Sequence, residues 1–111
     1  MVRFLFMLIS LMILSLGSVD AAVYKGQKVF VKKCFKCHGS GEVFVAKYTM
    51  KQWEKWMQKK GKPLAELHLK SKKAQKSWKY FKSKKYIQKS KHLKQFLVKY
   101  AKDSGNIPAC N

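Results

Sequence analysis

The chain has 111 residues, 25 of them Lys or Arg against five Asp or Glu, which leaves a net charge of +20. That length suits one domain. The charge points to acidic partners and anionic surfaces, with strong self-repulsion and salt-dependent association.

Residues 1–22 read as an export signal outside the folded domain. Arg3 supplies a positive n-region, Phe4 to Leu16 is an almost unbroken apolar run, and Gly17 to Ala22 offers small residues, with cleavage expected near Ala21 or Ala22. The apolar run is about 13 residues, short of the roughly 20 that a membrane-spanning helix needs. No second hydrophobic segment follows. The expectation is a mature domain of residues 23–111, soluble in the periplasm. At 89 residues such a domain is short of core, and a staple is expected.

Val23 to Lys33 reads as the first helix, with Gly26, Val29, Phe30 and Lys33 on one face. Directly after it stands Cys34-Phe35-Lys36-Cys37-His38. Two thiols separated by two residues and followed at once by an imidazole read as a c-type haem attachment site. Each thiol adds to one vinyl group on the porphyrin edge, and His38 ligates the iron. Covalent attachment relieves a small chain of holding haem by packing alone, and the haem then serves as both staple and core filler. Zinc binding through Cys34, Cys37, Cys110 and a histidine suits the Cys37-His38 adjacency less well. A thioredoxin-type dithiol would need a βαβ pattern that the sequence lacks.

Gly26, Phe30, Cys34, Cys37 and His38 together resemble the class I cytochrome c family. The resemblance implies an all-α, small cytochrome c-like fold, with N- and C-terminal helices packed around one covalently attached haem. In that family a glycine and an aromatic at these positions meet the closing helix: glycine permits close approach and the aromatic fills the groove.

His38-Gly39-Ser40-Gly41 reads as a turn and Glu42 to Tyr48 as irregular chain. Thr49 reads as an N-cap for a helix from Met50 to Lys60, with Gly61 beyond its end and Pro63 opening a further short helix to Lys70. Met50, Trp53, Trp56 and Met57 form an apolar stripe, and two tryptophans on so short a helix suit contact with a large flat surface such as haem. From Lys70 to Lys94 there are eleven lysines, and no acid falls between Glu66 and Asp103. Trp78, Tyr80, Phe81, Tyr86 and Ile87 interrupt that run. Aromatics among lysines can bind single-stranded nucleic acid, but no nucleic-acid motif is present, and the same residues suffice to bury a core under a solvated basic face. The last helix is expected from Lys91 or His92 to Lys102, with Leu93, Phe96, Leu97 and Tyr100 on one face and Gly105 as its stop. It stands where the resemblance puts the closing helix.

The resemblance breaks in the middle of the chain. Class I cytochromes present a methionine shortly before the closing helix as second axial ligand, whereas here no methionine follows Met57. The sixth iron position has four candidates, ranked with His68 first, then Met50 and Met57 together, then an open position; His92 is expected to be solvated. Cys110 has no evident partner and could link two chains by a disulfide in an oxidising compartment. The implied function is a periplasmic one-electron carrier, not an enzyme, docking on acidic redox partners through its lysines. The alternative is a haem-based small-ligand binder, sensor or minor peroxidase with an open or weakly held sixth position.

Overall fold

Helix formation starts from an amphipathic segment whose apolar face is closed by later parts of the chain. The computed structural model describes residues 21–108, and within that range the chain is helical, with no strand. Helix α1 is described over residues 21–33. The proposed signal falls mostly on residues 1–20, outside the described residues, as does Cys110.

A turn at Cys34 leads into α2 (Phe35–His38), and Gly39 leaves it at φ 80°, a conformation that favours glycine. Next come α3 (Gly41–Phe44) and a 3₁₀ turn, Val45–Lys47, where the sequence suggested irregular chain. The correction has a packing cause. Gly41 and Val45 are buried, and a side chain on Gly41 would meet the Phe30 and Phe96 rings, so a tight helical turn is the way this segment fits.

Helix α4 (Met50–Leu69) opens on a capping box: the Thr49 hydroxyl accepts from the Gln52 N–H, and the Gln52 side chain accepts from the Thr49 N–H. Asp103 adds a carboxylate at the same end, accepting from the Met50 N–H at 2.8 Å. The element is broken internally. Helical geometry stops at Met57, three residues before the expected Lys60, because Gln58 is extended and Lys59, Lys60 and Gly61 take positive φ. Pro63 then stands in the first turn of a second limb, where its missing N–H costs nothing.

After a 3₁₀ segment, Lys72–Ser77, and α5 (Trp78–Phe81), the closing helix α6 runs from Lys84 to Lys99. It begins seven residues before the expected Lys91. Ser83 is its N-cap, its Oγ accepting from the Tyr86 N–H at 3.3 Å. Tyr86, Ser90, Leu93 and Leu97 form its buried stripe, and Lys84, Lys85, Lys89 and Lys91 lie on the solvent side. It ends at Lys99, ahead of the expected Lys102.

The core joins both chain ends to the middle. Phe30, Val45, Trp53, Met57, Tyr86, Leu93, Phe96 and Leu97 are among its buried members. Gly26 lies against the His92 backbone of α6, and the Phe30 and Phe96 rings sit 5.6 Å apart. The first and last helices therefore meet at Gly26 and Phe30. Tyr86 donates its hydroxyl to the Gly61 carbonyl at 2.6 Å, tying α6 to the break in α4. No helix among the described residues is long and apolar enough to cross a membrane.

Candidate functional site

Between α2, the two limbs of α4 and α5 lies a cavity of about 410 Å³. Its walls are mostly apolar: Phe30, Phe44, Trp53, Trp56, Leu64 and Phe81 contribute. Lys33, Lys73 and Lys76 also line it, and Leu67, half exposed, stands where it opens to solvent. A straight α4 would spread Trp53 and His68 about 22 Å along one axis. The break at Gln58–Gly61 lets both limbs line one space.

Cys34, Cys37 and His38 all line this cavity. Cys34 is held at the end of α1, its N–H donating to the Phe30 carbonyl at 2.8 Å, and the His38 N–H returns to the Cys34 carbonyl at 3.0 Å. The tight turn presents three chemically active side chains within five residues. Burial, and then the neighbouring Cys37, push the Cys34 thiol up to about 12. A reactive dithiol needs the opposite, a thiolate stabilised near neutral pH. The Cys34 position therefore favours a neutral sulfur, thiol or thioether.

His38 stacks on Phe44, with ring centroids 4.2 Å apart. Burial of the ring, then His68, then Lys47 hold its pKa below the ordinary 6.5. It is therefore a neutral imidazole at pH 7, the form that ligates metals.

His68, from the second limb of α4, faces the same cavity. Its ring centroid lies 6.0 Å from that of His38, with the two planes at 90°. Nδ1 donates to the Leu64 carbonyl at 2.8 Å, and Phe81 stacks on the ring at 4.2 Å. The Trp78 indole donates to the His68 carbonyl at 2.7 Å, fixing the backbone as well.

The other three ligand candidates are placed elsewhere. Met57 is buried beside Gly61, and Met50 packs at the edge of the core. His92 lies at the α1–α6 crossing, half-buried and not solvated as expected, with Nδ1 3.4 Å from Gln95 Oε1. None of the three lines the cavity. Both tryptophans of the α4 stripe do, and the Trp53 indole is oriented by donation to the Val45 carbonyl at 2.9 Å. Phe44 and Phe81, which buttress the two imidazoles, were not singled out as site residues from sequence, since an aromatic in a helical pattern signals core in general.

Among the described residues no group of three or more His, Cys, Asp or Glu side chains could hold a metal ion by itself. A cofactor that brings its own equatorial donors needs only one or two axial ligands from the chain, and two imidazoles face the cavity. No protein-family model matches the chain, and no curated protein or solved structure matches it either.

Proposed function

We propose that this chain carries one haem c, attached through Cys34 and Cys37 with His38 as axial ligand, and that it acts as a periplasmic one-electron carrier. The observation that carries the reading is the placement of the Cys34–His38 turn on the wall of an apolar, aromatic-lined cavity. Cavities of about 300–1,000 Å³ hold cofactor-sized ligands. When bound, the group supplies an iron that moves between ferric and ferrous states by one electron.

The chain's own residues do the rest. Cys34 and Cys37 would hold the ring edge as neutral thioethers, which suits the buried position of Cys34. Phe44 fixes the plane of His38, so that one imidazole orientation is offered. Trp53, Trp56 and Phe81 keep water from the cavity walls. A net charge of +20, with Lys33, Lys73 and Lys76 among the cavity residues, draws the acidic face of a redox partner toward the place where the electron leaves.

The test is expression of the full chain in cells with a haem c maturation system. The expected result is a mass increase of one haem that survives denaturing extraction. Cys34→Ala and Cys37→Ala should each weaken retention, and His38→Ala should abolish the normal low-spin spectrum. A wild-type chain without covalent haem, or full incorporation and an unchanged spectrum in His38→Ala, refutes the reading.

A further inference from the structure

We infer that His68 is the second axial ligand, so that the chain offers the iron two histidines, a proposal that rests on the haem reading above. Three independent features of His68 converge on this role.

The first is spacing. Imidazole nitrogen binds transition metals at about 2.0–2.1 Å, and two imidazoles on opposite sides of one ion therefore have ring centroids roughly 6 Å apart. The His38 and His68 centroids are 6.0 Å apart, and both residues line the cavity. The same separation is ordinary for an edge-to-face ring pair, so the spacing leaves room for one shared ion and the two features that follow carry the assignment.

The second is the tautomer. The partner of Nδ1 is the Leu64 carbonyl, which only accepts, so Nδ1 carries the proton and Nε2 keeps its lone pair. Ligating histidines are prepared in the same way, with one ring nitrogen donating to a carbonyl or carboxylate and the other left to the metal.

The third is rigidity. Phe81 stacks on the His68 ring and Trp78 holds its carbonyl, while Phe44 stacks on His38. Each imidazole has an aromatic ring behind it, which limits rotation away from the cavity. Met50, Met57 and His92, the other candidates, do not line the cavity.

Histidine on both sides carries a consequence for potential. Methionine opposite histidine raises the potential of a c-type haem, so replacing thioether by imidazole sets this carrier below His/Met cytochromes of similar exposure. A closed sixth position also argues against the sensor and peroxidase readings.

The experiment uses the full chain, matured with haem, in wild-type, His68→Gly, His68→Met and His92→Ala forms. Wild type is expected to be low-spin in both oxidation states, to lack the sulfur-to-iron charge-transfer band and to leave carbon monoxide unbound. His68→Gly should lose the low-spin signal, bind carbon monoxide and recover the low-spin spectrum on adding free imidazole. Met in the same place should raise the potential and introduce the sulfur band, and His92→Ala should match wild type. A wild-type sulfur band, wild-type carbon monoxide binding, or an unchanged low-spin spectrum in His68→Gly overturns the inference while covalent haem leaves the carrier reading standing. Absence of covalent haem in wild type overturns both. Should His68→Gly fail to fold, His68→Met decides alone, since a variant with wild-type potential and no sulfur band is incompatible with ligation at that position.

Discussion

Gly26→Ala is the smallest change that tests whether the two chain ends hold the site together. A methyl group at position 26 would fall on the His92 carbonyl group and sit 2.8 Å from the Phe96 Cβ. Carbon atoms pack comfortably at about 3.5–4.0 Å, so α1 and α6 must separate by about 1 Å. A gap of that size forfeits about a quarter to a half of the dispersion between the facing groups. Phe30 and Phe96 are fully buried at this crossing, and at about 1.5–3 kcal/mol each their burial is worth about 3–6 kcal/mol. The separation therefore costs about 1–3 kcal/mol, overpacking adds about 1–3 kcal/mol, and better helix propensity returns about 1 kcal/mol. The net loss is about 1–5 kcal/mol, a large share of the stability of a small domain. Urea denaturation followed by far-UV circular dichroism measures it, with Val31→Ala, at an exposed position on the same helix, as the control. A Gly26→Ala chain as stable as wild type would refute the close-approach argument.

Three further perturbations address the break, the imidazole pair and the charge. Gly61→Ala places a side chain at φ 77° against the Tyr86 hydroxyl and, at 2.8 Å, its ring carbon. Strain of about 1–2 kcal/mol and loss of the Tyr86–Gly61 bond should together lower stability by about 2–4 kcal/mol in the same denaturation assay. His38 has a folded pKa below its ordinary 6.5, so as pH falls the unfolded chain takes up the proton first. Stability of a haem-free Cys34→Ala/Cys37→Ala chain should accordingly be full above pH 6.5 and decline below it, and adding His38→Gln should flatten that decline. Lys73→Glu with Lys76→Glu should slow association with an acidic redox partner by about tenfold at low salt, and less at high salt, in stopped-flow mixing.

Much of the frame was legible because it is written in short-range chemistry. Thr49 marks an N-cap, Gly61 and Pro63 punctuate α4, and Gly26 and Phe30 mark a crossing face. The early start of α6 was not legible: Ser83 lacks the Glu or Gln that completes a capping box, and the lysines after it read as a solvated run. The Gly41–Lys47 turns were missed for a different reason. Their helical form answers to Phe30 and Phe96, which are distant in sequence. At the candidate site, Cys34, Cys37 and His38 could be picked out together because their spacing is local, and all three line the cavity. His68 could be ranked first among four candidates but not assigned, because its place depends on the positive-φ residues that turn α4 back on itself.

If the chain carries haem as proposed, the contrast between a local ligand and a non-local one predicts an order of events. Cys34 to His38 form one turn, closed by hydrogen bonds within five residues. His38 is then tethered beside the iron whether or not the rest is folded. His68 lies 30 positions further on and reaches the cavity only when the α4 break forms and Tyr86 and Trp78 fix its two sides. Denaturant should therefore remove His68 and leave His38 and both thioethers in place. The low-spin spectrum should disappear at the same urea concentration as the helical circular dichroism signal, and free imidazole added to the unfolded chain should restore it. A low-spin spectrum that persists well beyond loss of helix would mean that the second ligand is also local, and would return Met50 or an unfolded-state ligand to consideration.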